Sequence, residues 1–321
     1  MTAAGTVGVV LMSMGEPEAI GQVRPYLRAL LGDPDLVRFP IPALQPTFAW
    51  TVALLHAGRL RRKLAAIGGS PLRRLTLRQG AGLEKALPGA GKYRVYTAMR
   101  YTEPSARDAV RRMRADGVAK VVALPLYPQY CAATSGSSLK DLHAAMKGEG
   151  WEAPVHEVRS WPDHPGFIAA LCGQISQTLT RAPGGLAHIL FTAHGVPQSL
   201  ISSGDPYQKE VERTVQGLRL AFAQSPGSLA YQSRTGRGRW LGPDAAAEIA
   251  RLGRAGTPAV VVVPLSFVSD NSETIHDLDI ALRQAAQDAG IKTFLRVPAL
   301  NDSPSFSAVL RDLTLAAEAA S

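Results

Sequence analysis

Cysteine is nearly missing from this chain. Only Cys131 and Cys172 occur in 321 residues, far apart and outside any CxxC or Cys/His cluster. A structural zinc site or a cysteine-ligated iron–sulfur cluster is therefore not expected, and nothing argues for an oxidising compartment. No run of about 18 apolar residues occurs, so no membrane-spanning helix is expected. The first residues, MTAAGTVGVVLMSMGEP, carry no basic stretch ahead of their short apolar run. They read as a first buried strand rather than a signal peptide. A GxxxxGK phosphate loop and a strand-borne GxGxxG are both missing, and GRG at 236–238 is too short to count, so nucleotide binding is weakly supported. HExxH is missing, and so is the GxSxG elbow that an α/β hydrolase needs. There is no internal sequence repeat and no low-complexity tail.

What is present fits a well-filled soluble protein: 46% hydrophobic and 19% charged residues. The length exceeds what one core usually serves, which predicts two domains. Lys and Arg number 35 against 26 Asp and Glu, a net charge of +9. That excess favours anionic partners: carboxylate ligands, nucleic acid or an acidic membrane surface. The plainer explanation is a basic solvated surface.

Short β-branched runs recur at 7–12, 93–99, 120–126, 155–161, 188–194, 229–234, 259–268 and 293–299. Several are apolar on both faces, as parallel strands covered by helices must be. Helical periodicity fills 19–31, 44–66, 71–87, 104–115, 136–148, 165–180, 206–223, 243–253, 272–288 and 303–319. Asp205-Pro206 reads as a helix start, and Gly117 and Gly290 as helix ends. Strand–helix alternation throughout predicts α/β architecture with parallel sheets. Four strands per half give two Rossmann-like domains, each a parallel four-stranded sheet flanked by helices, with a cleft between. The expected seam lies near 150, around GEGWEAP: an N-terminal domain over 1–150 and a C-terminal domain over 151–302. The last helix, 303–321, is expected to pack back on the first domain.

Ligands of such sheets bind at the carboxyl ends of the strands. That rule singles out Met14, Arg100, the loop after Pro125, His194 and the segment after Phe267. His194 ends the strand HILFTAH and is followed by a glycine. A lone histidine is more often structural, but a turn has no need of an imidazole. In SFVSDNSETIHDLDI, 266–280, Asp270 is placed to cap a helix on which Glu273, His276 and Asp277 share one face. Imidazole with carboxylates suits iron, zinc or nickel, and the loose spacing suits a metal in transit better than a resident one. IGGSPL, 67–72, puts Ser70 in a glycine turn before a helix, where its donors could hold an anion. LPLYPQYCAATSGSSLKDL, 124–142, offers hydroxyls beside aromatics for carboxylates. FPIPALQPTFAWTVALLHAGRLRRKLAAIGG, 39–69, is either a core helix or an apolar lip for a flat ligand or a membrane, ending in Arg61, Arg62 and Lys63.

Taken in order, these phrases resemble the ferrochelatase family. LFTAHGVPQSLISSGDPY matches its signature, and LMSMGEPE, VRPYLRALLGDPD, IGGSPL with Gln79, AMRY, PLYPQY with TSGSS, YQSRTGRGRWLGPD and FVSDNSET with DLD follow the family's sequence of motifs. The resemblance spans nearly the whole chain. It implies two Rossmann-like domains and an enzyme, a metal chelatase (lyase), that inserts ferrous iron into a porphyrin, protoporphyrin IX or coproporphyrin III, in haem biosynthesis. It implies His194 as the catalytic histidine and Glu273 as the catalytic acid, the two also meeting the metal, with Asp277 at the next acidic position. Porphyrin contacts are implied for Met14, Lys63, Ser70, Arg100, Tyr101 and Ser138. Some coproporphyrin-type relatives have Tyr where Met14 stands.

The match is not complete. Asn271 replaces a histidine usual in the family, His276 stands where an aromatic is common, and Ala281 interrupts an acidic line that some relatives extend. The turn before Ser70 is one residue short of many members, which bears on Lys63 and Ser70. The resemblance implies no tightly bound cofactor and no iron–sulfur cluster; Fe²⁺ is substrate. The expected partners are porphyrin and ferrous iron, with other haem-pathway enzymes and a peripheral membrane contact, and no nucleic acid. The expected place is the cytoplasm, at the inner membrane's edge. Two other readings stay open: a non-catalytic tetrapyrrole or haem carrier, and a cobalt or nickel chelatase of the same fold.

Overall fold

The apolar runs become strands because both of their faces are covered. The computed structural model describes residues 5–36, 45–89, 91–234 and 238–320, with Phe48 by its backbone alone. The chain divides into one unit of Met1–Ser160 with Asp302–Ser321 and a second of Trp161–Asn301.

In the first unit, β1 (Val7–Ser13) is buried along its whole length. It is flanked by β2 (Tyr93–Met99) and β3 (Lys120–Pro125), with β4 (Val155–Glu157) at the edge, in the parallel order β2-β1-β3-β4. Burying each Val or Leu of such a strand contributes roughly 1.5–3 kcal/mol. Helices α1 (Val23–Gly32), α2 (Gln45–Ile67), α3 (Leu72–Ala86), α4 (Ala106–Ala115) and α5 (Ser137–Gly148) connect them. Ala53, Ala57 and Leu64 of α2 pack on Val23 and Leu27 of α1. Ser105 starts α4 by accepting the Asp108 amide, and the Asp108 carboxylate accepts the Ser105 amide.

The second unit holds α6 (Pro165–Leu179), β5 (His188–His194), α7 (Gln198–Ser202), α8 (Tyr207–Ala221), β6 (Gly227–Gln232), α9 (Ala245–Arg254), β7 (Ala259–Pro264), α10 (Arg283–Asp288) and β8 (Thr293–Arg296). Its sheet runs β6-β5-β7-β8, again parallel. Val260 to Val263 are wholly buried. Asp205 accepts the Tyr207 amide at 3.0 Å where α8 begins. Gly117 and Gly290 take φ of 67° and 80°, the left-handed geometry that closes a helix. The last helix, α11 (Pro304–Ala319), packs on α3 and against β3 and β4. Burial alone would raise the carboxyl of its Glu318; bonds from Lys120, Tyr93 and Lys92 overcome this and pull it down to about 2.

Two differences from the sequence reading have physical causes. The seam does not lie at 150, because GEGWEAP closes a helix instead of linking domains. Gly150 (φ 58°) ends α5, the Trp151 amide donates to Met146 O, and Trp151 packs on the first core. The run 259–268 is not one strand. Pro264 ends β7, and the Leu265 amide turns to donate to Thr192 O at 2.7 Å.

Candidate active site

His194 is the last residue of β5, and Gly195 lets it stand there. The Gly195 amide donates to Gln232 O at 2.8 Å. A Cβ at position 195 would sit 2.9 Å from that same oxygen, so a side chain would push β5 from β6. The His194 carbonyl accepts the Tyr207 hydroxyl at 2.8 Å, and Phe267 stands edge-on to the imidazole, 6.3 Å between centroids. The ring is therefore held by its backbone and by one wall.

Its Nδ1 lies 2.9 Å from Glu273 Oε2. The same oxygen accepts the Ser233 hydroxyl at 2.6 Å, and Ser233 Oγ lies 3.4 Å from Asp277 Oδ2. Asp277 Oδ1 meets His276 Nδ1 at 2.9 Å. His194, Glu273, Ser233, Asp277 and His276 thus form one hydrogen-bonded row within the second unit. The His194 side chain keeps 37% of its exposure against 23% for Glu273, so the imidazole is the member more open to a substrate.

The element bearing the carboxylates is not the α-helix expected from the spacing. Residues Glu273–Leu282 wind with i→i+5 hydrogen bonds and revert to α geometry only at α10. Such wide turns are rare and gather at functional sites. Glu273 and Asp277 still share a face, since four residues fall just short of one wide turn. The cap also differs from expectation. Asn271, not Asp270, starts the segment, its Oδ1 accepting the amides of Glu273 at 2.8 Å and Thr274 at 3.1 Å. Asp270 instead pairs with Arg296 and Asn301.

The first unit gathers a second group. Burial opposes ionisation of Asp33, but hydrogen bonds from the Tyr101 hydroxyl, the Asp35 amide and Ser137, with Arg100 beside it, hold its carboxyl below the usual range. The distances are 2.7 Å to Tyr101, 2.9 Å to Ser137 and 2.8 Å to Arg100, and Arg100 also faces Asp141 at 3.5 Å. Arg100 and Tyr101 are therefore already engaged by a carboxylate of this chain. Met14, half-buried just past β1, accepts the Tyr101 amide through its carbonyl at 2.9 Å. Ser138 is buried in the first turn of α5, with the Tyr127 hydroxyl as its neighbour. Ser70 caps α3 through the Leu72 amide and donates to Glu16, so the anion at this turn is the chain's own. Lys63 is half-buried on α2. Residues 39–44 of the apolar stretch and Gly236 and Arg237 of GRG lie outside the described residues.

The ferrochelatase family model matches residues 6–318. The chain belongs to the ferrochelatase family. A ferrochelatase of Synechococcus sp. (strain RCC307) is 42% identical over 314 residues, 96% of this chain and 81% of the relative. One of Synechococcus sp. (strain JA-3-3Ab) is 43% identical over 311 residues, 94% of this chain and 91% of the relative. Among solved structures, the sirohydrochlorin chelatase SirB of Bacillus subtilis subspecies spizizenii, in complex with cobalt, shares the fold at a TM-score of 0.58 and 9% identity, over 97% of this chain and 95% of that one. CbiX, the terminal enzyme of sirohaem biosynthesis in denitrifying bacteria, does so at 0.52 and 16%, over 97% and 98%.

Within the ferrochelatase framework, Asn271 acquires a local reason: it caps the wide-turn segment, work that a buried amide oxygen does well. Among the described residues, no group of three His, Cys, Asp or Glu side chains is arranged to hold a metal ion. Sequence reasoning missed Ser233, whose φ of 65° is unusual for a residue other than glycine. It also missed Asp33, Asn301 and Arg296. Only Ser233 had a signal within reach: it follows a strand that had to lie beside His194.

Proposed function

We propose that this chain inserts ferrous iron into a porphyrin, with protoporphyrin IX ahead of coproporphyrin III as substrate. The pairing of His194 Nδ1 with Glu273 Oε2 carries the assignment of roles. A free-base porphyrin must lose two N–H protons as Fe²⁺ enters. An imidazole near pH 7 is a competent base for that transfer. The Glu273 carboxylate fixes the ring's orientation and compensates the positive charge that forms when His194 takes the proton. Glu273 and Asp277, linked through Ser233, supply oxygens to ferrous iron or pass protons on. A porphyrin puckered on binding exposes its nitrogen lone pairs to the incoming metal. The apolar thioether of Met14 supports an apolar macrocycle contact and the choice of protoporphyrin IX. Ser138, Lys63, Arg100 and Tyr101 are the candidate carboxylate-holding groups, the last two already engaged by Asp33.

A peripheral membrane contact through α2 belongs to the same reading, in the cytoplasm. Trp50, Leu54 and Leu55 are exposed ahead of Arg59, Arg62 and Lys63, and among the described residues no helix is long and apolar enough to cross a membrane. Flotation with anionic vesicles should carry the protein up, and the Leu55→Asp variant less; equal flotation of both would remove α2 from the contact.

The deciding experiment mixes the protein anaerobically with Fe²⁺ and each porphyrin and follows the free-base absorption bands against a protein-free control. Rapid conversion of protoporphyrin IX supports the proposal. Conversion with cobalt or nickel alone makes the chain a different chelatase. Binding without conversion makes it a carrier.

A further inference from the structure

We propose that Arg296 is a positioning residue for iron handling: by tying together Asp270 and Asp279 it fixes the segment that presents Glu273 and Asp277. The proposal rests on the iron-insertion reading above. Arg296 ends β8, and its side chain is only 12% exposed, too buried to serve as a surface charge. Its Nε meets both oxygens of Asp279 at 2.9 Å, and its Nη2 meets Asp279 Oδ2 at 2.8 Å. Its other arm, Nη1, meets Asp270 Oδ1 at 2.9 Å. One planar guanidinium thus holds the residue just before the cap and a residue in the middle of the wide-turn segment. Glu273 and Asp277 lie between those two anchor points.

Asp270 is itself fixed from three sides. Its Oδ1 accepts the Thr274 hydroxyl at 2.9 Å, its Oδ2 accepts Asn301 Nδ2 at 2.9 Å, and its amide donates to Asn301 Oδ1 at 2.8 Å. The next residue, Asn271, caps the segment. Wide turns have poorer intrinsic support than α-helix, so their geometry depends on outside ties. Four carboxylates, Asp270, Glu273, Asp277 and Asp279, lie within ten residues. Arg296 takes two of them, Asp270 and Asp279, while Glu273 pairs with His194. That separates structural acids from working acids in a stretch where spacing alone cannot. Lysine could not replace it, because a point charge does not bridge two carboxylates in a fixed plane.

The test compares Arg296→Lys and Asp279→Asn with wild type in the full chain. Thermal stability, porphyrin binding by fluorescence quenching, and kcat and KM for Fe²⁺ and for protoporphyrin IX are measured. Arg296→Lys should raise the KM for Fe²⁺ and lower kcat, together costing about tenfold or more in kcat/KM for iron, since charge-assisted hydrogen bonds are lost. KM for porphyrin should stay within twofold. Asp279→Asn, which keeps the Asp270 arm, should shift the same parameters by less. A fall in melting temperature with unchanged iron kinetics would overturn the proposal, leaving Arg296 a scaffold residue. So would a parallel loss of porphyrin affinity, or failure of both variants to fold. A wild-type protein that inserts no metal would instead sink the functional reading itself.

Discussion

Replacing Glu273 by Gln keeps the side chain's shape and removes its charge. In the site, Oε2 faces His194 Nδ1 at 2.9 Å and accepts Ser233 Oγ at 2.6 Å. A glutamine must turn either its amide nitrogen or its amide oxygen to Nδ1. With the nitrogen there, the amide donates to Nδ1, the ring proton moves to the other nitrogen, and the imidazole loses its standing as a base. General-base catalysis is worth about 10²–10⁴-fold. With the oxygen there, the tautomer survives and only charge assistance is lost, about 1.5–3 kcal/mol, or roughly ten- to a hundredfold in rate. Either way kcat should fall at least about tenfold. Asp277→Asn should cost less than about fivefold, because its partners are a distant Ser233 Oγ at 3.4 Å and a partly exposed His276. The assay is steady-state insertion of Fe²⁺ under anaerobic conditions, with porphyrin binding measured separately by fluorescence. A Glu273→Gln enzyme within twofold of wild type, or an Asp277→Asn enzyme more impaired than it, would refute the assigned roles.

His194→Ala should abolish insertion while porphyrin still binds; turnover near wild type in the same assay would remove His194 from the chemistry. Gly195→Ala should lower thermal stability, by about 1–3 kcal/mol in chemical denaturation, because its Cβ meets Gln232 O at 2.9 Å; an unchanged midpoint would show that β5 and β6 can part freely. Glu318 titrates lower in the fold, at about 2, than its ordinary 4.5, so its stabilisation is full above about pH 4.5 and fades as pH falls through 2. That drop would be worth ~3 kcal/mol unscreened, and about 1–2 kcal/mol once solvent screening is allowed for. Denaturation of wild type and Glu318→Gln should therefore differ at pH 6 and converge toward pH 2; a gap that stays constant would place the effect elsewhere.

The fold class was legible because buried parallel strands are apolar on both faces and here alternate with amphipathic helices. The seam was not, because a stretch with two glycines and a proline, GEGWEAP, writes a helix end and a linker in the same letters; the packing of Trp151 decides between them. The site was half legible. His194 could be found by its strand end, and Glu273 and Asp277 by their spacing, although the geometry that makes them neighbours is a wide turn that spacing does not announce. Asp33 lies 68 positions before Tyr101, and Asp270 lies 26 before Arg296. Such pairs exist only after folding. They determine which charged groups are spent inside the structure and which face a ligand, and Arg100 shows how far that can alter a reading made from motifs.

The two units also carry a duplication that the sequence hides. Met12 pairs with Pro125 and Thr192 with Pro264 in the two sheets. The next residue in each case, Leu126 and Leu265, donates its amide back to Met12 O and Thr192 O. Two residues past each of those acceptors come Met14 and His194, each followed by a glycine and, two residues further, a proline. Counting eight and twelve residues on from the paired leucines gives Thr134 and Ser138 in one unit, Glu273 and Asp277 in the other. In each unit a run of i→i+5 turns leads into a helix: Ala132–Gly136 into α5, Glu273–Leu282 into α10. One scaffold therefore presents a thioether and hydroxyls in the first unit, an imidazole and carboxylates in the second. The backbone fixes the stations, and only the side chains differ between them. Function in this chain is read from the residues at those stations, because the fold that supplies them is the same twice.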